Sequence, residues 1–352
     1  MKILGIDTSC DDTCVALLEI KNRNLKILSN IISSQVKLHA KYGGVYPFLA
    51  KREHQRNLSI VFKKALRFAS LAQYKIDLIG VTAGPGLEPC LWQGVNFAEK
   101  IAKEYRKSLI LVNHIEAHIL ANFLNLKSGI SGLKSIFPAV CLVVSGGHTQ
   151  LILMEDIGRY KLIGETRDDA AGECFDKTAR ILGFGYPGGP VIATEAVKLK
   201  SENSNFKSKI KLPRPMMYTK DYDFSFSGLK TAVLYEFKKQ SPRIRKSKIY
   251  IRTMCAEIQQ AIVDVLIYKT IKAAKNCKVK SIILGGGVAA NNELRKQFQA
   301  TVYNQKLIIN FLVPSKNLCT DNAAMVAVTA YFHQKKATKS WQKIKVDANL
   351  KI

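Results

Sequence analysis

The sequence predicts an α/β protein of two lobes, on three observations. Three segments, KILGIDTSCDDT, AVCLVVSGGHTQL and KSIILGGGVAANNELR, each run as an apolar strand into an abrupt turn of Gly, Ser, Thr, Asp or Asn. The first two continue into a further strand, CVALLEI and QLILMED, so each reads as a hairpin that displays a polar tip at the end of a sheet. Their spacing, and a length of 352 residues that suits about two domains, suggest a duplicated unit.

The remaining elements follow in order. After the first hairpin, amphipathic helices are expected around His54 to Ala72 and Gly94 to Tyr105, separated by the strands KIDLIGVTAG and SLILVNH. After the second, helices around Gly172 to Leu182 and Thr253 to Lys275 precede the third strand, and a helix from Asp321 to Gln334 closes the series. Strands alternating with helices argue an α/β fold, and two such units facing each other would make a cleft.

Composition narrows the class of function. The chain is 47% apolar and 23% charged, as a globular protein is, but its formal net charge is +27. That excess asks for an anionic partner, most plausibly nucleic acid, although heavy lysine usage in an AT-rich genome would raise it as well. Eight cysteines, at 10, 14, 90, 141, 174, 255, 277 and 319, form no CxxC pair and read as reduced thiols. The first residues enter a strand at once, with no signal or transit pattern, and no apolar run approaches the ~20 residues that span a bilayer. A soluble, cytoplasmic protein is expected.

Between Lys198 and Arg252 the composition shifts to 15 Lys and Arg against 4 Asp and Glu, with Pro213, Pro215 and the aromatics Tyr218, Tyr222, Phe224 and Phe226 interleaved. A solvated face is the plain reading of a charge run. Aromatics among cations are also what stacking on unpaired bases requires. The tail from Lys335 to Ile352, with six lysines and Trp341 against one acid, would extend the same footprint.

The turns carry the chemistry. Glycine at a strand end lets the backbone approach a phosphate closely and offer its amides. Three such turns, SGGHT (Ser145 to Thr149), YPGGP (Tyr186 to Pro190) and GGGVAAN (Gly285 to Asn291), point to nucleotide binding. GPGL (Gly84 to Leu87) is a further close-approach turn, equally explained by packing. In DTSCDDT, Asp7, Asp11 and Asp12 crowd one tip, which costs energy unless a cation or a polarised ligand offsets them.

NHIEAHIL (Asn113 to Leu120) places His114 and His118 four residues apart, on one face of a helix, as metal ligands require. A zinc peptidase has its Glu directly after the first His; here Ile115 stands there, and Glu116 falls about 200° round the helix from His114 at about 100° per residue. In CTDNAAM (Cys319 to Met325), Thr320 or Asp321 could cap the last helix, or Asp321 could complete a His, His, Asp metal set with open positions.

Taken together, the blocks GIDTSCDDT, YGGVYPFLAKREH, VTAGPGL, NHIEAHIL, VVSGGHTQL, DDAAGECFDKTAR, YPGGP, FSFSGLKTA, GGGVAANNELR and CTDNAAM resemble, in order from Met1 to about Phe332, the tRNA N6-adenosine threonylcarbamoyltransferases of the bacterial TsaD type, once described as O-sialoglycoprotein endopeptidases. The resemblance implies an actin and sugar-kinase-like fold, two ribonuclease-H-like lobes around a nucleotide cleft. The lobes would be residues 1–112 with about 330–352, and residues 113–329 with a basic helical insertion at about 198–252. It implies that His114, His118 and Asp321 hold a divalent ion, iron or zinc. It implies that Val143, Val144, Ser145, Gly146, Gly147, Asp176, Gly189 and Asn291 bind threonylcarbamoyl-AMP, that ATP or AMP fits the same cleft, and that Asp11 and Asp12 serve the transfer. The implied reaction moves the threonylcarbamoyl group to N6 of the adenosine 3′-adjacent to the anticodon of ANN-decoding tRNAs. The implied partners are tRNA, a TsaB-like paralogue, a TsaE-like ATPase and a TsaC-type synthase that supplies the adenylate. Three features depart from the family pattern: Ala193 where an acid is common, Asp7 in place of glutamate, and the run Glu88, Pro89 and Cys90 after GPGL. Competing readings are an actin-like kinase or ATPase, a metalloprotease, and a noncatalytic nucleic-acid-binding protein.

Overall fold

The computed structural model describes residues 1–70, 75–126, 129–202, 210–305, 309–340 and 344–352, with backbone alone for 200–202. Part of the basic segment, residues 203–209, and Trp341 of the tail lie outside the described residues. The chain divides into two compact units: Met1–Ile136 with Asp156–Tyr160 and Pro314–Ile352, and Phe137–Glu155 with Lys161–Val313. Set beside the expected lobes, these bounds give residues 113–136 and 314–329 to the first unit.

In the first unit, strands β1 (Lys2–Asp7), β2 (Asp12–Lys21), β3 (Asn24–Ser34), β4 (Leu78–Gly84) and β5 (Ser108–Asn113) form a sheet in the order β3-β2-β1-β4-β5. β1, β2 and β3 pair antiparallel, while β4 and β5 add parallel to β1. In the second unit, β6 (Ala139–Val144), β7 (Thr149–Asp156), β8 (Arg159–Glu165), β9 (Ser281–Gly285) and β10 (Asn310–Leu312) repeat that order as β8-β7-β6-β9-β10. The β6 and β7 pair is antiparallel, and β9 and β10 again add parallel. Both sheets have the ribonuclease-H-like order, so the fold is of the actin and sugar-kinase-like class. The two predicted hairpins are β1–β2 and β6–β7, the opening pair of each sheet.

The expected helices form with shifted ends. Pro47–Phe68 starts earlier than the apolar period suggested, with Pro47 in its first turn, where a missing N–H costs nothing. Glu88–Glu104 begins at Glu88, so the unusual Glu88, Pro89 and Cys90 form a first helical turn, and Thr8 Oγ1 donates to the Cys90 carbonyl at 2.8 Å. The other helices that bear on the site are His114–Leu120, Ala171–Ile181, Lys248–Asn276 and Ala323–Phe332. No described helix is long and apolar enough to cross a membrane. All eight cysteines are free.

Two glycines set how closely the last helix approaches the first sheet. A Cβ on Gly5 of β1 would stand 2.1 Å from the Ala323 carbonyl oxygen, and one on Gly80 of β4 would stand 2.6 Å from Ala330 Cβ. Bare backbone at these two positions lets Ala323–Phe332 lie directly on β1 and β4. GPGL has a similar cause. Gly84 has φ +152°, and a Cβ there would meet the Asp347 carbonyl oxygen at 1.9 Å, while Asp347 N–H donates to Ala83 O and Gly86 N–H to Ala348 O. Its close approach is to the chain's own C-terminal residues, which are packed structure within the first unit.

In the basic segment, Phe224 and Phe226 are fully buried and stacked on each other, with centroids 6.2 Å apart. They are core, not a base-stacking surface, because successive alternate residues of that extended stretch face inward. Tyr222 is half-buried and Tyr218 is exposed. Arg214 and Arg252 are spent on Glu257, Asp264 and Glu195. Also exposed are Lys198, Lys211 and Lys220, and a denser group of Tyr235, Lys238 and Lys239 on Ser227–Lys239, Arg243 and Lys246 just after it, and Lys248 at the start of Lys248–Asn276.

The close helix–sheet contact predicts that Gly5→Ala costs about 1–3 kcal/mol in chemical denaturation, an overpacking penalty. Gly44→Ala, with open space around the added methyl, is the matched control and should stay within about 0.5 kcal/mol of the parent.

Candidate active site

In the first unit, the site collects at the carboxyl ends of the parallel strands. β1 ends at Asp7, and β5 ends at Asn113, whose side-chain oxygen accepts from Ile115 N–H (2.9 Å) and Glu116 N–H (3.1 Å) and so starts the helix His114–Leu120. The seven residues of that helix are all buried. Asp321 precedes Ala323–Phe332, and the cap of that helix is Asn322, whose Oδ1 accepts from Met325 N–H at 3.1 Å. With Asn322 in that role, the Asp321 carboxylate is left for other work.

His114, His118 and Asp321 converge. Asp321 Oδ1 lies 3.5 Å from His114 Nε2 and 3.2 Å from His118 Nε2, and one ligand atom from each of the three lies within 4.8 Å of the others. Donor atoms bound at about 2.0–2.2 Å to one ion stand at such separations. Among the described residues His118 Nδ1 has no hydrogen-bond partner although the residue is 1% exposed, and its Nε2 has only the Asp321 carboxylate beside it, without a formed hydrogen bond. A divalent cation fits this set: two imidazole nitrogens and one carboxylate oxygen, close enough to share one ion. Glu116 points elsewhere. Its Oε1 accepts from Tyr160 O–H and His333 Nε2, both at 2.7 Å, which makes it a structural clasp.

Charge in the pocket is biased toward carboxylates. Burial opposes charging of His114, yet the carboxylates of Asp321 and Asp7 prevail and raise it to about 10. Burial pushes His118 down, toward the neutral form that ligates metal. Burial resists charge on Asp321, but the two imidazoles hold its carboxyl below the usual carboxylate range. A proton on His114 and a divalent ion are alternative ways to offset the same acids.

Asp11 and Asp12 stand at the β1–β2 tip and the start of β2, each with one buried oxygen lacking a hydrogen-bond partner. Burial, then Asp321, raises Asp11. Burial raises Asp12 to about 7; a hydrogen bond to Ser34 opposes this, and Asp321, Asp11 and Asp7 add to it. Reading the sequence alone missed what holds the tip. His54 Nε2 faces the Cys10 carbonyl at 3.0 Å and must donate to it, so its Nδ1 accepts from Thr13 Oγ1–H at 2.8 Å. Gln35 donates its backbone N–H to Asp11 O and accepts from His39 Nε2 at 3.1 Å. His54 ends the block YGGVYPFLAKREH, but its partners Cys10 and Thr13 lie far off in sequence, so only the fold shows the link.

In the second unit, the glycine-rich turns gather round the helix Ala171–Ile181. A Cβ on Gly172 would meet Ser145 O at 2.5 Å, one on Gly188 would meet the Asp176 Cα at 2.7 Å, and one on Gly286 would meet Val144 O at 2.3 Å. These glycines are required by packing. Gly146 and Gly147 are not: an added Cβ would meet nothing within 4 Å, so their bare backbone faces open space where an anion can approach. Val143 and Val144 are buried as the end of β6. Asp176 Oδ1 accepts from Gly188 N–H at 2.6 Å and so shapes the YPGGP turn beside Gly189. Asn291 caps Asn292–Asn304 through Glu293 and Leu294 N–H, and donates its Nδ2 to Gln259.

The profile of the family TsaD, tRNA N6-adenosine threonylcarbamoyltransferase, matches residues 26–328. A tRNA N6-adenosine threonylcarbamoyltransferase of Thermosipho africanus is 46% identical over 352 residues, covering 100% of both chains. One of Syntrophomonas wolfei is 47% identical over 332 residues, 94% of this chain and 92% of its own. Among solved structures, component A of the (R)-2-hydroxyglutaryl-CoA dehydratase of Acidaminococcus fermentans matches with a TM-score of 0.54 over 95% of this chain and 99% of its own; at 14% identity this likeness speaks for the fold alone.

Elemental analysis of protein purified with Fe²⁺ or Zn²⁺ should show a stoichiometric ion that falls to background in His118→Ala. Glu116→Gln should keep the ion and lose about 1–3 kcal/mol of stability, because it weakens the bonds from Tyr160 and His333 and nothing at the metal.

Proposed function

The chain belongs to the tRNA N6-adenosine threonylcarbamoyltransferase family, and from that membership we propose that it transfers the threonylcarbamoyl group of threonylcarbamoyl-AMP to N6 of the adenosine 3′-adjacent to the anticodon in ANN-decoding tRNAs. It is an acyltransferase that acts in tRNA modification. The observation that carries the reading is the set of buried His114 and His118 with half-buried Asp321, found in a chain that matches such transferases along its whole length. A peptidase is disfavoured by the same geometry, since Glu116 is engaged by Tyr160 and His333 and is not beside the ligand atoms. The kinase and noncatalytic readings have no observation in their favour beyond fold and charge.

The reaction forms a bond from N6 to the carbamoyl carbon, breaks the bond from that carbon to the phosphate oxygen, and releases AMP and the amine proton. An aryl amine is a poor nucleophile, so the residues must work on the electrophile and the leaving group. His114, His118 and Asp321 would hold the ion, Fe²⁺ in our reading with Zn²⁺ as the second choice, and when bound it would supply Lewis acidity to the transfer. The open backbone of Gly146 and Gly147, with Val143, Val144 and Ser145, binds the adenylate; Asp176 and Gly189 shape the neighbouring turn, and Asn291 fixes the third. Asp12 takes the proton, since a carboxylate that titrates at about 7 is poised between holding and releasing it at neutral pH, with Asp11 beside it.

The exposed cations Lys238, Lys239, Arg243, Lys246 and Lys248, next to Tyr235, support a docking role for the phosphate backbone of tRNA. The target base stands in a single-stranded loop and needs no duplex opening. A TsaB-like paralogue, a TsaE-like ATPase and a TsaC-type synthase as source of the adenylate complete the proposal, with the cytoplasm as its place.

The deciding experiment incubates the protein with synthetic threonylcarbamoyl-AMP and an ANN-decoding tRNA, with the accessory proteins added, and reads the nucleosides by mass spectrometry. Threonylcarbamoyladenosine is expected, and its absence would reject the proposal. Asp12 must be ionised to accept a proton, so kcat/KM should fall as pH drops through about 7, and Asp12→Asn should flatten that limb at a rate lower by about 100-fold or more. Charge reversal of Lys238, Lys239 and Arg243 together should raise KM for tRNA by about tenfold or more and flatten its salt dependence, with adenylate binding unchanged.

A further inference from the structure

We propose that Asp7 is a positioning residue of the metal centre, a buried carboxylate that holds His114 in the tautomer and orientation a ligand needs. The inference rests on the metal reading of His114, His118 and Asp321. Asp7 is the last residue of β1 and is 0% exposed. One of its oxygens, Oδ1, accepts from Ser9 N–H at 3.0 Å. The other, Oδ2, has no hydrogen-bond partner and lies 3.5 Å from Nδ1 of His114, itself buried and unpartnered. On the far side of the same ring, Nε2 faces Asp321 Oδ1, also at 3.5 Å. The imidazole therefore stands between two carboxylates, one addressed by each nitrogen.

A neutral imidazole carries one proton. Placed on Nδ1, facing the Asp7 carboxylate, that proton leaves the Nε2 lone pair free on the side of Asp321 and His118. The opposite tautomer would set two lone pairs, Nδ1 and Oδ2, against each other in a buried site, which is unfavourable. Asp7 thus selects the ligating form of His114 and raises its basicity as a donor. His118 has no such support among the described residues, since its Nδ1 has no partner. The anchored ligand is His114, and its anchor comes from a strand 107 residues upstream, fixed in place by pairing with β2 and β4.

The contact is longer than a formed N–H···O bond, which makes side-chain length and charge separately testable. Calorimetric titration of the full-length chain with Zn²⁺, and anaerobically with Fe²⁺, should give affinity about 10–100-fold weaker for Asp7→Asn than for the parent, at an unchanged stoichiometry. Asp7→Glu, which keeps the charge and adds reach, should bind within about threefold of the parent. Long-range nitrogen–proton NMR of the Zn²⁺-loaded, histidine-labelled parent should show His114 protonated on Nδ1, a signature that a merely structural aspartate would not set. Parental affinity in a folded Asp7→Asn, or an Nε2-protonated His114 in the loaded parent, would overturn the proposal. Should Asp7→Asn fail to fold, loss of affinity in Asp7→Glu would overturn it equally. Failure of the parent to bind either ion, or undiminished binding in His118→Ala, would instead reject the metal reading and the proposal with it.

Discussion

The first unit depends on one close contact: the helix Ala323–Phe332 lying on bare backbone at Gly5 and Gly80. A side chain at either position would collide with the helix, so helix or strand would have to shift. Because Asp321 sits just before that helix and is freed from capping by Asn322, its carboxylate arrives where the histidines of His114–Leu120 stand. Strand β5 and the Asn113 cap deliver those histidines, and β1 delivers Asp7. Four chain segments thus meet because parallel strands end together and a helix is allowed to come near.

Electrostatics then explains why the meeting place has a function. Asp11, Asp12 and Asp321 are drawn into surroundings where burial disfavours their charge, and Asp7, Asp11 and Asp12 each keep an oxygen without a hydrogen-bond partner. A fold selected for stability alone would replace such groups with apolar ones. Their presence is consistent with a bound cation and a proton acceptor near neutral pH, and the tip is held by His54, which burial pushes toward its neutral form, and by the Gln35 backbone.

The second unit uses glycine in two ways that the sequence does not separate. Gly172, Gly188 and Gly286 are demanded by neighbouring backbone, whereas Gly146 and Gly147 face open space and are available to a ligand. The basic segment divides similarly: Phe224, Phe226, Arg214 and Arg252 belong to packing and ion pairs, and a smaller set around Tyr235 remains exposed.

The sequence by itself determined the α/β class, both hairpins, the helix carrying His114 and His118, and the membership of Asp321 in the same site through motif resemblance. Those features are local, since alternation, turn glycines and i, i+4 spacing depend on neighbours in the chain. Only the tertiary structure decided that Asn322 rather than Asp321 caps the last helix, that GPGL bends to meet the chain's own C-terminal residues, that Glu116 is a clasp, and that His54 and Gln35 hold the acidic tip. It also brought Asp7 behind His114. Apart from the Asn322 cap, which is local but a choice between adjacent residues, each of these is a contact between segments tens to hundreds of residues apart, so its cause is the pairing of strands and the burial of helices, which no local pattern records.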